Sequence, residues 1–166
     1  MTKYFWFTLF FSVNLFLLPA TARSQPSHIV CAVGDSHVVP GSYFLRVLQE
    51  ELGEEYEIRA EGRRGWTSRR WIRSGDFAEV CEGADIVLVS LGGNDRVHGR
   101  TWRSIKENVS TLVESLPSGT HVFHMTVPRY YRPRIHLASD GIHMSRRGAR
   151  EYARVVAPML LMRVAD

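Results

Sequence analysis

Lysine is almost absent from this 166-residue chain. Only Lys3 and Lys106 occur, so the formal charge of +4 rests on arginine. The arginines gather in three groups: Arg63, Arg64, Arg69, Arg70 and Arg73; Arg96, Arg100 and Arg103; and Arg129, Arg132, Arg134, Arg146, Arg147 and Arg150. Two explanations stand side by side. One is an ordinary solvated face; the other is an anionic substrate, whose carboxylate or phosphate a guanidinium grips with two bonds. Cysteine is equally scarce. Cys31 and Cys81 allow at most one bridge, and Cys31 sits in an apolar run where a free thiol behaves as a small buried hydrophobe. Two buried thiols are therefore expected rather than a disulfide. Low-complexity tracts and internal repeats are missing as well, which excludes a disordered chain or a repeat array. With 45% hydrophobic and 23% charged residues, the composition is that of one globular domain. Metal-ligand spacing is lacking: His121 and His124, three apart on a strand, face opposite sides, and His98 and His136 have no partner spacing. Neither a metal nor any other cofactor is expected.

One long apolar run is present, at the N-terminus. Lys3 precedes it, it extends from Tyr4 to Leu18, and Pro19 and Ala20-Thr21-Ala22 follow with the small-x-small pattern of a cleavage site. Thr8, Ser12 and Asn14 interrupt the run, which falls short of a comfortable membrane span. Residues 1–22 read as a secretory signal peptide, with export to the periplasm or beyond and no stable membrane span after cleavage. About 145 residues remain, within the range of one domain, here 27–166. Export argues against nucleic acid as the partner of the arginines that interleave with Trp66 and Trp71.

Along that domain strands alternate with helices. Apolar, partly β-branched residues from His28 to Val33 form a first strand ending at Gly34. Phe44, Leu45, Leu48 and Leu52 recur at helical spacing after Gly41, with Gly53 as a left-handed cap. Tyr56 to Ala60 makes a second strand, and a helix starts at Trp66-Thr67-Ser68 and runs through Trp71 and Ile72 toward Phe77. Asp85 to Leu91 is an unbroken strand covered on both faces. Trp102, Ile105, Val109, Leu112, Val113 and Leu116 trace a helical face closed by Pro117-Ser118-Gly119, and Thr120 to Thr126 gives a fourth strand. The tract from Arg129 to Ser139 reads as loop. Ser145 caps a last helix carrying Ala149, Tyr152, Ala153, Val156 and Leu160 on one side, with a kink at Pro158. The fold class is α/β, a parallel sheet between two helical layers joined by right-handed crossovers.

In such sheets ligands bind beyond the carboxyl ends of the strands. Ser36 follows the first strand, Gly65 the second and Asn94 the third, so one rim collects them. A serine hydroxyl attacks well only when a base takes its proton, and histidine is the usual base. His143 is the candidate: Asp140 lies three residues before it, with Gly141 between for a tight turn, so the carboxylate can fix the ring tautomer. Oxyanion donors would be the backbone amides of Ser36 and Gly65 and the side chain of Asn94. Gly62 competes with Gly65, which is preferred because it stands just before a helix start. The nucleophile elbow of another large hydrolase class is excluded, because residue 38 is Val38 and not glycine.

Gly34-Asp35-Ser36, Gly65, Gly92-Gly93-Asn94-Asp95 and Asp140-Gly141-Ile142-His143, in that order, resemble the four blocks of the SGNH (GDSL) hydrolases. The resemblance implies a three-layer flavodoxin-like fold and a carboxylic ester hydrolase. It assigns Ser36 as nucleophile, His143 as base, Asp140 as its orienter, and Gly65 and Asn94 as oxyanion donors. Two departures stand out. His37 replaces the aliphatic residue common after the serine, and the tract before Asp140 is too short for the further helix and strand of many relatives. A trimmed sheet of four or five strands with an open pocket is expected.

The resulting expectation is a secreted serine esterase working through an acyl-enzyme on a small ester or an acylated glycan or lipid. Deacetylation of a glycan is one use; lysophospholipase or thioesterase action is the other. Asp35, His37 and Arg96 are candidate substrate contacts. The rival from another class is a non-catalytic binding module on the same fold.

Overall fold

The computed structural model describes residues 26–125, 137–140 and 143–164. The expected signal peptide, 1–22, the end of the fourth strand at Thr126, the part 129–136 of the expected loop, and Gly141 lie outside the described residues. Four strands form one parallel sheet in the order β2-β1-β3-β4: β1 His28–Gly34, β2 Tyr56–Gly62, β3 Ile86–Ser90 and β4 His121–Met125. The order reverses between β1 and β3, so β1 starts both windings, the arrangement that opens a crevice at the strands' carboxyl ends.

Alternation along β1 and β3 divides the interior into two cores, since successive side chains of a strand face opposite ways. Val30, Ala32, Ile86 and Leu88 pack against α1 (Tyr43–Leu52) and α5 (Arg146–Val164), with Phe44, Leu48, Ala153 and Leu160 filling the space. Cys31, Val33, Val87 and Val89 face the other way, onto Trp71 of α2 (Ser68–Ser74) and Ile105, Val109 and Leu112 of α4 (Trp102–Glu114). Burying a Leu or Ile fully is worth about 1.5–3 kcal/mol, and these two layers hold most such residues.

Helix ends follow local chemistry. Ser42, Thr67 and Thr101 each accept from a backbone amide as N-caps, and Gly53 (φ +82°) and Gly75 (φ +74°) close α1 and α2. The cap at Gly75 stops α2 before Phe77, which is buried below it rather than carried on it. The loop expected after β3 contains a short helix, α3 (Gly93–Val97). Trp102, expected on the inner face of α4, is 45% exposed, being in the helix's first position. Helix α5 continues through Pro158 to Val164.

The cysteine expectation is corrected. Cys31 and Cys81 are joined as a disulfide, with Cα atoms 5.4 Å apart. Burial made a free thiol plausible, yet a short 3-10 turn, Glu79–Cys81, brings the second sulfur under β1. The bridge links the strand leading to Ser36 with the segment entering β3.

Candidate active site

Gly34 ends β1 with φ +149°, and a Cβ there would lie 2.1 Å from the Ser90 carbonyl oxygen. Only glycine fits, so β1 and β3 stay in close contact where the chain turns into the Ser36–Val38 3-10 turn. Trp71 donates its indole N–H to the Gly34 carbonyl (3.1 Å), and the Asp35 amide donates to Ser90 (2.9 Å). Asp35 then caps the turn: its Oδ1 accepts from the His37 amide (3.0 Å), the Ser90 hydroxyl (3.2 Å) and the His37 ring Nδ1 (2.9 Å). These bonds fix the backbone on both sides of Ser36.

The Ser36 hydroxyl lies 3.0 Å from Nε2 of His143, and Nδ1 of that ring lies 2.7 Å from Asp140 Oδ2. A carboxylate can only accept, so Nδ1 carries the proton and Nε2 presents its lone pair to the hydroxyl. The turn holding the pair is local: the His143 amide donates to Asp140 Oδ1 (3.0 Å), and the Ala138 amide to the His143 carbonyl (2.8 Å). Leu137 and Met144 form an antiparallel bridge just outside, and Ser145 caps α5 immediately after. Ser36 and His143 share a cavity of about 90 Å³ with His37, Ser42, Tyr43, Phe44, Met144 and Ala149.

On the opposite side of Ser36, Asp95 is 1% exposed and bonds both the amide (3.0 Å) and hydroxyl (2.7 Å) of Ser68. This clamps the start of α2 to α3. Asn94, next to it, donates through Nδ2 to the Trp66 carbonyl (2.9 Å), which leaves its second amide hydrogen for another acceptor.

Two solved structures share this architecture at close length: a carbohydrate acetylesterase family member from Sinorhizobium meliloti, at TM-score 0.64 and 16% identity over 84% of this chain and 100% of that one, and a lipase/acylhydrolase from Enterococcus faecalis, at 0.66 and 15% over 80% and 95%. A carbohydrate esterase family 3 protein from Talaromyces cellulolyticus matches at 0.64 and 15% over 81% and 97%. The chain shares the three-layer α/β/α fold of these lipase/acylhydrolase and carbohydrate esterase structures, the fold that the SGNH (GDSL) resemblance implies. No family model and no curated protein matches the sequence.

On this SGNH fold the expected residues divide. The structure brings Ser36, His143 and Asp140 into one hydrogen-bonded row. Gly65 does not line their cavity; it is exposed at φ +72° and lines a separate groove with Thr67, Arg69, Arg70, Arg73, His98 and Arg100. Gly62 is the glycine against the nucleophile's turn, where a Cβ would come within 2.4 Å of the Val38–Val39 peptide.

The three expected substrate contacts are placed differently relative to the cavity. Asp35 is 1% exposed, with its carboxylate bonded inside the protein, and it braces the turn that carries Ser36. His37 is 6% exposed and lies at the cavity floor, bonded to Asp35 and tilted against His143 with ring centroids 5.6 Å apart. Arg96 folds back, donating to the Arg100 carbonyl (2.6 Å) with its guanidinium over Trp102. Sequence reasoning missed Ser68 and Ser90, the two hydroxyls that hold Asp95 and Asp35. Neither stands in a motif, and only the crossover of strands reveals them.

Proposed function

We propose that this protein is an exported serine esterase that removes short acyl groups from a glycan through an acyl-enzyme. The observation that carries the reading is the row Ser36–His143–Asp140, at 3.0 and 2.7 Å. Its hydrogen-bond reach suits general-base activation of a hydroxyl.

In this mechanism Ser36 Oγ attacks the ester carbonyl while His143 Nε2 takes its proton, and Asp140 stabilises the imidazolium. The oxyanion is held by the Ser36 amide, by Asn94 Nδ2 and by a glycine amide. Gly65 is the expected source of that amide, since Asn94 is bonded to the carbonyl of the next residue, Trp66. His143 then protonates the leaving alcohol, a water deprotonated by the same nitrogen attacks the acyl-serine, and Ser36 leaves with its proton restored.

Cavity size supports a short acyl group. The cavity that Ser36 and His143 share, about 90 Å³, has room for an acetyl group. Structural neighbours described as carbohydrate esterases lean the same way. The Cys31–Cys81 disulfide supports export, since such bonds persist in oxidising compartments, and residues 1–22 would be the signal that directs it.

A fluorophosphonate probe tests class and nucleophile together. Adduct on Ser36, with p-nitrophenyl acetate cleaved far better than the palmitate, is the expected result. Folded protein that takes no label would favour a binding module instead, and preference for the long ester would favour the lipid reading.

A further inference from the structure

Most arginines away from the site have carboxylate partners. Arg59 pairs with Glu57, Arg63 with Glu61 and Asp76, Arg147 with Glu151 and Arg154 with Glu51. Beside the site the pattern reverses. The groove that Gly65 lines, about 410 Å³, holds Arg69, Arg70, Arg73, Arg100 and His98, and no carboxylate lines it. Arg69, Arg73 and Arg100 have no ion-pair partner among the described residues. The groove borders the oxyanion side of the site through Gly65-Trp66, since Asn94 is bonded to the Trp66 carbonyl.

Across Ser36, on the α1–α5 side of the sheet, a second group surrounds Tyr43, which lines the catalytic cavity. Arg150 donates to its hydroxyl (2.8 Å), and the guanidinium carbons of Arg46 and Arg146 lie 5.5 and 5.8 Å from its ring centroid. Arg46 and Arg146 also have no carboxylate partner among the described residues. Leaving several guanidinium groups together without counter-charge costs self-repulsion, which an anionic ligand would relieve.

We infer that these two arginine groups bind the oxyanions of an acidic polysaccharide on either side of the acyl ester that Ser36 cleaves. The inference rests on the esterase reading and narrows its substrate class. Charge on both flanks suits a chain running across the site. Anions repeated along one chain, the property of a polysaccharide and not of a single lipid headgroup, fit guanidinium groups set on both sides of the ester. Guanidinium forks match carboxylate and sulfate alike.

Binding of the full protein to polygalacturonate, dextran sulfate and neutral dextran, at low and high salt, tests it. Binding to one or both polyanions, weakened by salt and absent for dextran, is expected, and the stronger of the two identifies the anion. Arg69→Ala/Arg73→Ala should weaken binding about tenfold or more, while Arg59→Ala/Arg154→Ala, with the same loss of charge, should change it less than about twofold. On acetylated polygalacturonate, or its sulfated equivalent, the first double variant should lose about tenfold more kcat/KM than it loses on p-nitrophenyl acetate. Equal weakening by both doubles, no binding to either polyanion, or binding only to phosphatidylglycerol vesicles would overturn the inference. Polyanion binding without cleavage of p-nitrophenyl acetate would instead overturn the esterase reading and leave the groove standing.

Discussion

Ser36 and His143, the proposed nucleophile and base, are held in opposite ways. Ser36 stands on a turn fastened to the sheet, with Gly34 pressed on Ser90, Asp35 accepting three hydrogen bonds and Trp71 bonded just before it. His143 and Asp140 are 43% and 46% exposed at their side chains and hang on a short bridged turn at the start of α5. One half of the site is part of the core, and the other is laid on its surface. Damage to the first half should therefore cost stability and activity together, whereas damage to the second should cost activity alone.

The largest effect should separate those two outcomes. His143→Ala should lower turnover on p-nitrophenyl acetate by about 10⁴-fold or more, with Asp140→Ala about ten- to a hundredfold milder, because the aspartate orients rather than transfers the proton. Thermal unfolding of both should stay close to wild type. A large fall in melting temperature would show that the base turn belongs to the core after all.

Removing the Cys31–Cys81 bridge comes next. Closing a loop across a sequence separation of 50 corresponds to about 4 kcal/mol in the chain-entropy account. Urea unfolding of Cys31→Ser/Cys81→Ser should reveal most of that loss, and the folded fraction should keep its kcat, since neither sulfur touches the site. Asp95→Ala should cost about 2–3 kcal/mol, by leaving the buried Ser68 amide and hydroxyl short of an acceptor. Unlike the disulfide variant it should also lower kcat, because Ser68 and Asn94 position the same loop; unchanged kcat would detach Asn94 from the reaction.

The smallest effect is a pH dependence far from the base. Arg63 beside Asp76 holds that carboxyl below its usual range. The folded state therefore binds the proton less readily than the unfolded one. The stabilisation is present above the unfolded carboxylate pKa and is lost as pH falls through the lower folded value. Melting temperatures of wild type and Asp76→Asn should differ near neutrality and converge in acid.

Much of this was legible beforehand, for identifiable reasons. Periodicity located the strands and helices because each buries a regular stripe, and the Asp140-to-His143 pair was readable because it is local. Gly65 is preferred to Gly62 for its place before a helix start, whereas the close packing of Gly62 on Val38 depends on strand register and is not legible in sequence. Asp35 is a related case: beside Ser36 a polar residue suggests substrate contact, and only the depth of the turn reveals its capping role. The disulfide escaped because burial fits a bonded sulfur as well as a free one.

The separation of Ser36 and His143 by 107 positions bears on biogenesis. Domains are synthesised from the N-terminus, and early segments can fold while later ones are being made. Ser36, Gly65 and Asn94 all precede β4, whereas His143 comes just before α5, which packs on α1. A growing chain would thus carry Ser36 on its turn before the His143 partner is in place, and the proposed acyl transfer would wait for the final helix to dock.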